Sequence, residues 1–583
     1  MDSRENLHLE VDGPLYRPAK PMPFELVQHC GIYLEEKLYT QALNLLTHIL
    51  TSGTVAGSPA FVPTPALLAV AATLVVYPGT TNRAKTAEEK EAASAALRLL
   101  RLTNTLVGPL AARFDAAFSF THFETSRQGA RRRQGNQGAR HNDGDHMETH
   151  REHGMPLNFH LGQSGSLWSR AEDFWHAVGW AFNCSILHLD RWERWRLWLQ
   201  FICEALEDDW SERVRQSDGQ GDEEETGQDD GNAKDQLLRD SLIFRYLLSE
   251  SGGYGRNRRI MRAIFANGSP SAVGEFRQIF NNEQKDLKPD KDNHKKREGG
   301  VNIDQDEYGD YITHDEAESD ETEESVAPRP RTNNRPKRAR RATKAAGAQN
   351  TDPTHSSDTT TTTTTAASIV HSGLSLLGGY ESLVLRQRLL HLLSTVSERF
   401  PKEFVPLDDL YHMFVENIRH QPFPIFQAFV TPAVLPYFSP AAQTTLCEFL
   451  LFRMRESSAP DTDEEYLSQT KLEECFLPFA ANSPSIVENA KVSVTLESLL
   501  VLLAESEMLD ITPSLRSAVQ AGIVARADKA QLEVRKSHTD RLLEDTEWCW
   551  LLESGERLNF LVDVALLRRR ETLGDLPELP DAE

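Results

Sequence analysis

The 583-residue chain has little that could carry it across a bilayer or tie it together covalently. Its longest apolar stretch, Ala66 to Tyr77, falls short of the roughly 20 residues a spanning helix needs. The leading residues MDSRENLHLE are acidic and polar, so neither a signal peptide nor a transmembrane helix is expected. Six cysteines, at 30, 184, 203, 447, 475 and 549, contain no CxxC pair. That spacing argues against a disulfide framework or a zinc site, and for small core residues in a reducing compartment. Strand signals are nearly absent, since no Val/Ile/Thr alternation is bounded by hairpin turns. Positive charge is also in short supply: 63 basic against 87 acidic residues leave a net −24. This balance works against non-specific binding of the whole chain to nucleic acid or anionic membranes.

Catalytic signatures are missing too. The sequence has no GxxxxGK[ST], no HExxH and no dinucleotide fingerprint after a strand, and Gly162-Gln163-Ser164-Gly165 lacks the GxSxG frame. The expectation is therefore a non-enzyme with no cofactor and no metal. Two near misses sharpen it. His146 and His150 have the spacing that would share one helix face and hold zinc, but they sit in a Gly/Arg/Asn-rich stretch that promises no scaffold for ligand geometry. Asp304, Asp306, Gly309, Asp310 and Asp315 partly match a calcium loop. There Tyr308 takes a position that needs an oxygen donor, and Asp315 replaces the long bidentate Glu.

What the chain does have is contrast between segments. With 39% hydrophobic and 26% charged residues it is too polar to be packed throughout. Residues 122–164 are rich in Arg, Gly and His, 213–235 include DEEETGQDD, and 286–375 run through acidic, basic and poly-threonine tracts. Their apolar area is too small to offset chain entropy, so all three are expected to be disordered loops or linkers.

Elsewhere apolar residues recur three and four apart, which predicts an all-α fold. Residues 15–121 read as an N-terminal array. There Lys37-Leu38-Tyr39 followed by Ala42, Leu45, Leu46 and Leu50 looks like one hairpin of a tetratricopeptide-type repeat. With no clean second copy at 34 residues, the array is read as irregular, of tetratricopeptide or HEAT type. Residues 165–285 form a tryptophan-rich region holding seven of the nine tryptophans. Trp192, Trp195, Leu199, Ile202 and Leu206 share one helix face, and Phe174, Val178, Phe182 and Ile186 another, which predicts an aromatic helix pair used for packing. Further helices are expected at 236–250, 256–267, 378–400, 407–420, 440–456, 484–508, 513–536 and 541–570. Those beyond 376 make up a C-terminal helical domain, 376–575, whose prolines between 401 and 440 are read as punctuating short connections.

Three segments suggest partners. Tyr254-Gly-Arg-Asn-Arg-Arg follows a glycine turn and would present Arg256, Arg258 and Arg259 to phosphates or to an acidic protein, against the plainer reading of solvated arginines beside a tight turn. Residues 302–325 hold eleven acids and no Lys or Arg, with Tyr308 and Tyr311 among them. Such a segment suits a basic partner such as a histone, or acts as a solvating counterweight to the tract that follows. That tract gathers Arg335, Lys337, Arg338, Arg340 and Arg341 without an acid, the pattern of a nuclear localisation signal read by importin and also of a nucleic-acid tail. Finally, RAEDFWHAVGWAFNCS, RWERWRLWL, GYGRNRRIMRAIF and QTTLCEFL resemble segments of nuclear helical proteins of filamentous fungi that carry no assigned activity. The expectation is a nuclear scaffold or adaptor subunit of a chromatin, DNA-repair or transcription assembly, acting through other subunits. The alternative is a factor that binds nucleic acid or histones through its charged segments.

Overall fold

The computed structural model describes residues 16–53, 58–120, 157–219, 235–248, 254–284, 373–432, 437–462, 464, 466–533 and 538–572. They are mostly helical, as the periodicity requires. The sequence did not signal the small sheet found among the described residues, in which β1 (Ala19–Pro21) pairs in parallel with β2 (Ala60–Val62). Three residues per strand are too few to show an alternating pattern.

The first two helices are the expected hairpin. Helix α1 (Phe24–Glu35) turns at Lys37, whose φ of 60° reverses the chain, into α2 (Tyr39–Leu50). Neither helix can cover its own apolar face, so α2 packs on α4 (Ala87–Val107). Helix α3 (Pro65–Val76) is apolar all round and accordingly buried between α4, the short α5 (Phe114–Ala117) and the later α8 (Leu189–Gly219). The apolar run too short to cross a membrane is this buried helix, and no helix among the described residues is long and apolar enough to cross one.

After the short α6 (Leu167–Arg170) comes α7 (Phe174–Leu187), with 12 of its 14 residues buried. It packs on α8, and all seven tryptophans of this region lie inside the core, with Trp180, Trp195 and Trp198 fully enclosed. Two boundaries differ from the sequence reading. The loop expected over 122–164 is packed from 157, because Leu157 and Leu161 bury their side chains. The loop expected over 213–235 begins later, because α8 continues to Gly219. Arg213 supports that extension: it pairs with Asp209 at 3.0 Å and donates to the Leu237 carbonyl, both side chains being buried. Residues 121–156, 220–234 and 285–372, and with them His146, His150 and the calcium-like Asp304 to Asp315, lie outside the described residues.

The chain continues through α9 (Leu242–Leu248), α10 (Tyr254–Ile264) and α11 (Pro270–Glu275). Beyond residue 372 follow α12 (Gly379–Arg399), α13 (Leu407–Ile418), α14 (Phe423–Val430), α15 (Pro440–Met454), α16 (Gln469–Cys475), α17 (Ile486–Glu505), α18 (Pro513–Gln531) and α19 (His538–Thr572). Helices α14 and α16 occupy stretches read as connections. Pro424 stands in the first turn of α14, where a missing N–H costs nothing, and Pro440 and Pro513 open α15 and α18 in the same way. Helix α17, with 14 of 20 residues buried, is the axis on which α14, α15, α18 and α19 pack. Residues 1–287 and 364–583 belong to one unit, and one hydrophobic core runs from Met22 to Val562. The second unit, 288–363, falls wholly outside the described residues.

Candidate interaction surface around the arginine-rich helix

Of the segments marked for partners, α10 is the one the described residues contain. Its sequence YGRNRRIMRAI is strongly amphipathic: Ile260, Met261, Ala263 and Ile264 face the core, and α10 packs against α7 and α13. Its arginines are divided by that geometry. Arg256 is buried, with its guanidinium 6.0 Å from the Phe404 ring and 3.2 Å from the Asn257 side-chain oxygen. Arg259 pairs with Asp173, lies 3.2 Å from Glu172 and sits over the Phe276 ring at 5.8 Å. Asp173 has a second task, because it caps α7 by accepting the His176 backbone N–H at 2.7 Å. These two arginines join helices inside the body.

Arg258 and Arg262 face outward. Arg262 donates twice to Glu275, at 2.7 and 2.8 Å, and that carboxylate holds its pKa above the ordinary arginine value. Together with Met261, and with Met413, Glu416 and Asn417 of α13, they line a cleft of about 200 Å³. Its floor is thioether and its rim carries two guanidiniums, one carboxylate and one amide. Such a cleft can seat one apolar side chain flanked by polar groups. It has no nucleophile paired with a base. Among the described residues no cluster of three or more His, Cys, Asp or Glu side chains could hold a metal.

The α13 wall was not legible beforehand, because nothing in residues 413–417 marks them as neighbours of 258–262. The basic residues Arg335, Lys337, Arg338, Arg340 and Arg341, and the anchors Tyr308 and Tyr311, lie outside the described residues.

A second polar constellation is sealed in the core. Glu283 is fully buried, and its Oε1 accepts from Trp195 Nε1 at 2.7 Å, Trp180 Nε1 at 3.1 Å and the Arg191 guanidinium at 2.5 Å. Arg191 spends its other donors on Thr81 Oγ1 at 2.7 Å and the Val76 carbonyl at 2.6 Å. Every strong donor here already has an acceptor and no solvent reaches it. The constellation joins α3, α7 and α8. Five cysteines are buried, and burial pushes the Cys30 thiol up to about 11; Cys549 alone is exposed.

Comparison with known proteins adds no family: no family model and no curated protein matches the chain.

Proposed function

We propose that the chain is a non-catalytic nuclear scaffold or adaptor, a subunit of a chromatin, DNA-repair or transcription assembly. In this reading its N-terminal helices are an irregular tetratricopeptide- or HEAT-type array and the helices after 376 form its C-terminal helical domain. The observation that carries the reading is the basic tract from Arg335 to Arg341, set between two helical segments whose tryptophans and buried charges are spent on packing. The α1–α2 hairpin stacked on α4 supports the array. The cleft between α10 and α13 supports contact with a partner side chain.

Affinity purification of the full chain followed by mass spectrometry should return a fixed set of nuclear proteins at constant ratio. A fluorescent fusion in which Lys337, Arg338, Arg340 and Arg341 are changed to alanine should move to the cytoplasm. Unchanged nuclear accumulation counts against the import signal.

The eleven acids of 302–325, with Tyr308 and Tyr311 among them, favour a second reading as a histone-binding factor. Acids give salt-sensitive attraction and aromatic anchors give contact that salt weakens less. Tyr308→Ala with Tyr311→Ala should then weaken binding to core histones at constant net charge. Equal binding by parent and variant defeats this reading.

A further inference from the structure

We propose that residues 16–284 and 373–572 recognise each other as partners, so that their association does not depend on the backbone that connects them. The inference goes beyond the nuclear reading and holds independently of it. It rests on the seam between the two segments, which has the anatomy of a protein–protein interface, with arginine and aromatic anchors at its centre and ion pairs at its edge.

At the centre Arg386 of α12 is fully buried and has no carboxylate. It donates to the carbonyl oxygens of Ile264 and Ala266, at the end of α10, and its guanidinium lies 4.0 Å from the Phe182 ring of α7. Burial lowers its pKa to about 9. Ser382 Oγ at 3.1 Å and the Leu377 carbonyl at 3.5 Å complete the guanidinium's acceptors from its own segment, so the cation is shared between the two. Arg388, two residues further along α12, holds Glu207 of α8 with two bonds of 2.9 and 2.6 Å. Phe400 inserts between Phe244 and Trp210, at 4.8 and 6.3 Å, and Phe429 meets Phe265 at 6.0 Å. Around this core lie Arg196 with Glu381, Arg239 with Glu403 at 3.0 Å and Arg399 with Asp235 at 2.8 Å.

Two residues near the points where the chain leaves and rejoins this body, Glu283 and Gly378, both contact α7. On one side Glu283 accepts from Trp180. On the other Gly378, with φ of 82°, is pressed against Ser185 so closely that a Cβ there would overlap the serine side chain. Trp180 and Ser185 are five residues apart, about 7.5 Å along a helix. Glu283 and Gly378 are therefore held at neighbouring points of one helix, each by its own buried contacts. A single break in the intervening stretch would leave the basic tract attached covalently to one partner and through the seam to the other.

The test uses the full chain with a site-specific protease sequence placed between Ser356 and Ser357. After complete cleavage in native buffer the two fragments should co-elute at the elution volume of the uncut protein, at micromolar concentration. Separation of the fragments, or aggregation on cleavage, overturns the proposal. To show that the named seam holds them, Arg388→Glu should leave the uncut protein monomeric and folded but weaken fragment association after cleavage at least tenfold. The exchange Arg388→Glu with Glu207→Arg should restore most of it. If cut Arg388→Glu associates as tightly as the parent, the seam described here is not what binds the halves.

Discussion

Glu283 shows how a single side chain can decide the stability of a helical core. Four nitrogen donors from three side chains converge on one fully buried carboxylate oxygen. Removing the carboxylate would strand the buried Arg191 cation and two indole N–H groups together, and breaking such a pair from one side is strongly destabilising. Glu283→Ala is expected to lower the unfolding free energy by about 3 to 5 kcal/mol in denaturant titration. Trp195→Ala, which loses the ring and one donor, should cost a similar 3 to 5 kcal/mol. A Trp195→Ala protein that melts like the parent but loses partners would place this ring at an interface instead. Glu497 gives the opposite kind of test, because its partner Arg557, bonded at 2.9 Å, remains partly exposed when left alone. Burial raises the Glu497 carboxyl above its ordinary value, and Arg557 only partly opposes this. Between the ordinary and the raised value the folded protein keeps a proton that the unfolded chain has released, so this group's contribution to stability falls as pH rises through the window. The stability of the parent minus that of Glu497→Gln should therefore be larger near pH 4 than at pH 7. Parallel pH profiles for the two proteins would refute this.

At the scale of the element, helix ends and close approaches set what the sequence can vary. Thr86 caps α4 in a reciprocal box with Glu89, each side chain accepting the other's backbone N–H, so Thr86→Ala should cost about 1 kcal/mol. Gly522 is a harder constraint. It lies in mid-helix on α18, where a Cβ would overlap the carbonyl oxygen of Leu477, a backbone atom that also accepts from the buried Arg526. Gly522→Ala ought to gain helix propensity of about 1 kcal/mol; we expect instead a net loss, read as a lower melting temperature, because the backbone contact has no room to give. Periodicity made the long helices legible. Trp192, Trp195, Leu199 and Ile202 repeat every three or four residues over a stretch long enough for the pattern to be unambiguous, and α8 buries that face. Helices α14 and α16, of eight and seven residues, are shorter than the window in which a helical period can be told from chance, and the prolines of α14 look like breaks until their place in the first turn is known. The arginine helix was legible as an element but not as a site. Which of its cations are consumed internally depends on Asp173, Glu275 and Phe404, and none of these is close in sequence to the arginine it meets.

Over the whole molecule, the question is whether the helices before 285 and after 372 unfold together. Composition alone suggests a division there, because the intervening stretch could not bury itself, and a sequence reader places a domain boundary at such a shift. The seam couples the two sides across that boundary. Arg386 and Arg388 of α12, and Phe400 just past its end, all meet groups from the earlier helices, so losing either side would expose buried charge and aromatic surface on the other. Coupling of that kind makes a single cooperative transition the expectation. The chain carries its own reporters for the comparison. Seven of nine tryptophans lie between Trp168 and Trp210, so intrinsic fluorescence weights the earlier helices. Cys549 on α19 is the one exposed cysteine of six and takes a thiol-reactive dye while the five buried ones are shielded. Urea unfolding followed by tryptophan emission and by the dye on Cys549 should give coincident midpoints and equal slopes. Arg388→Glu should lower both midpoints together in the uncut chain. Two separated midpoints, with the substitution moving only one, would mean that the helices after 376 are a domain with its own stability and that the seam is a docking contact between two independently folded bodies.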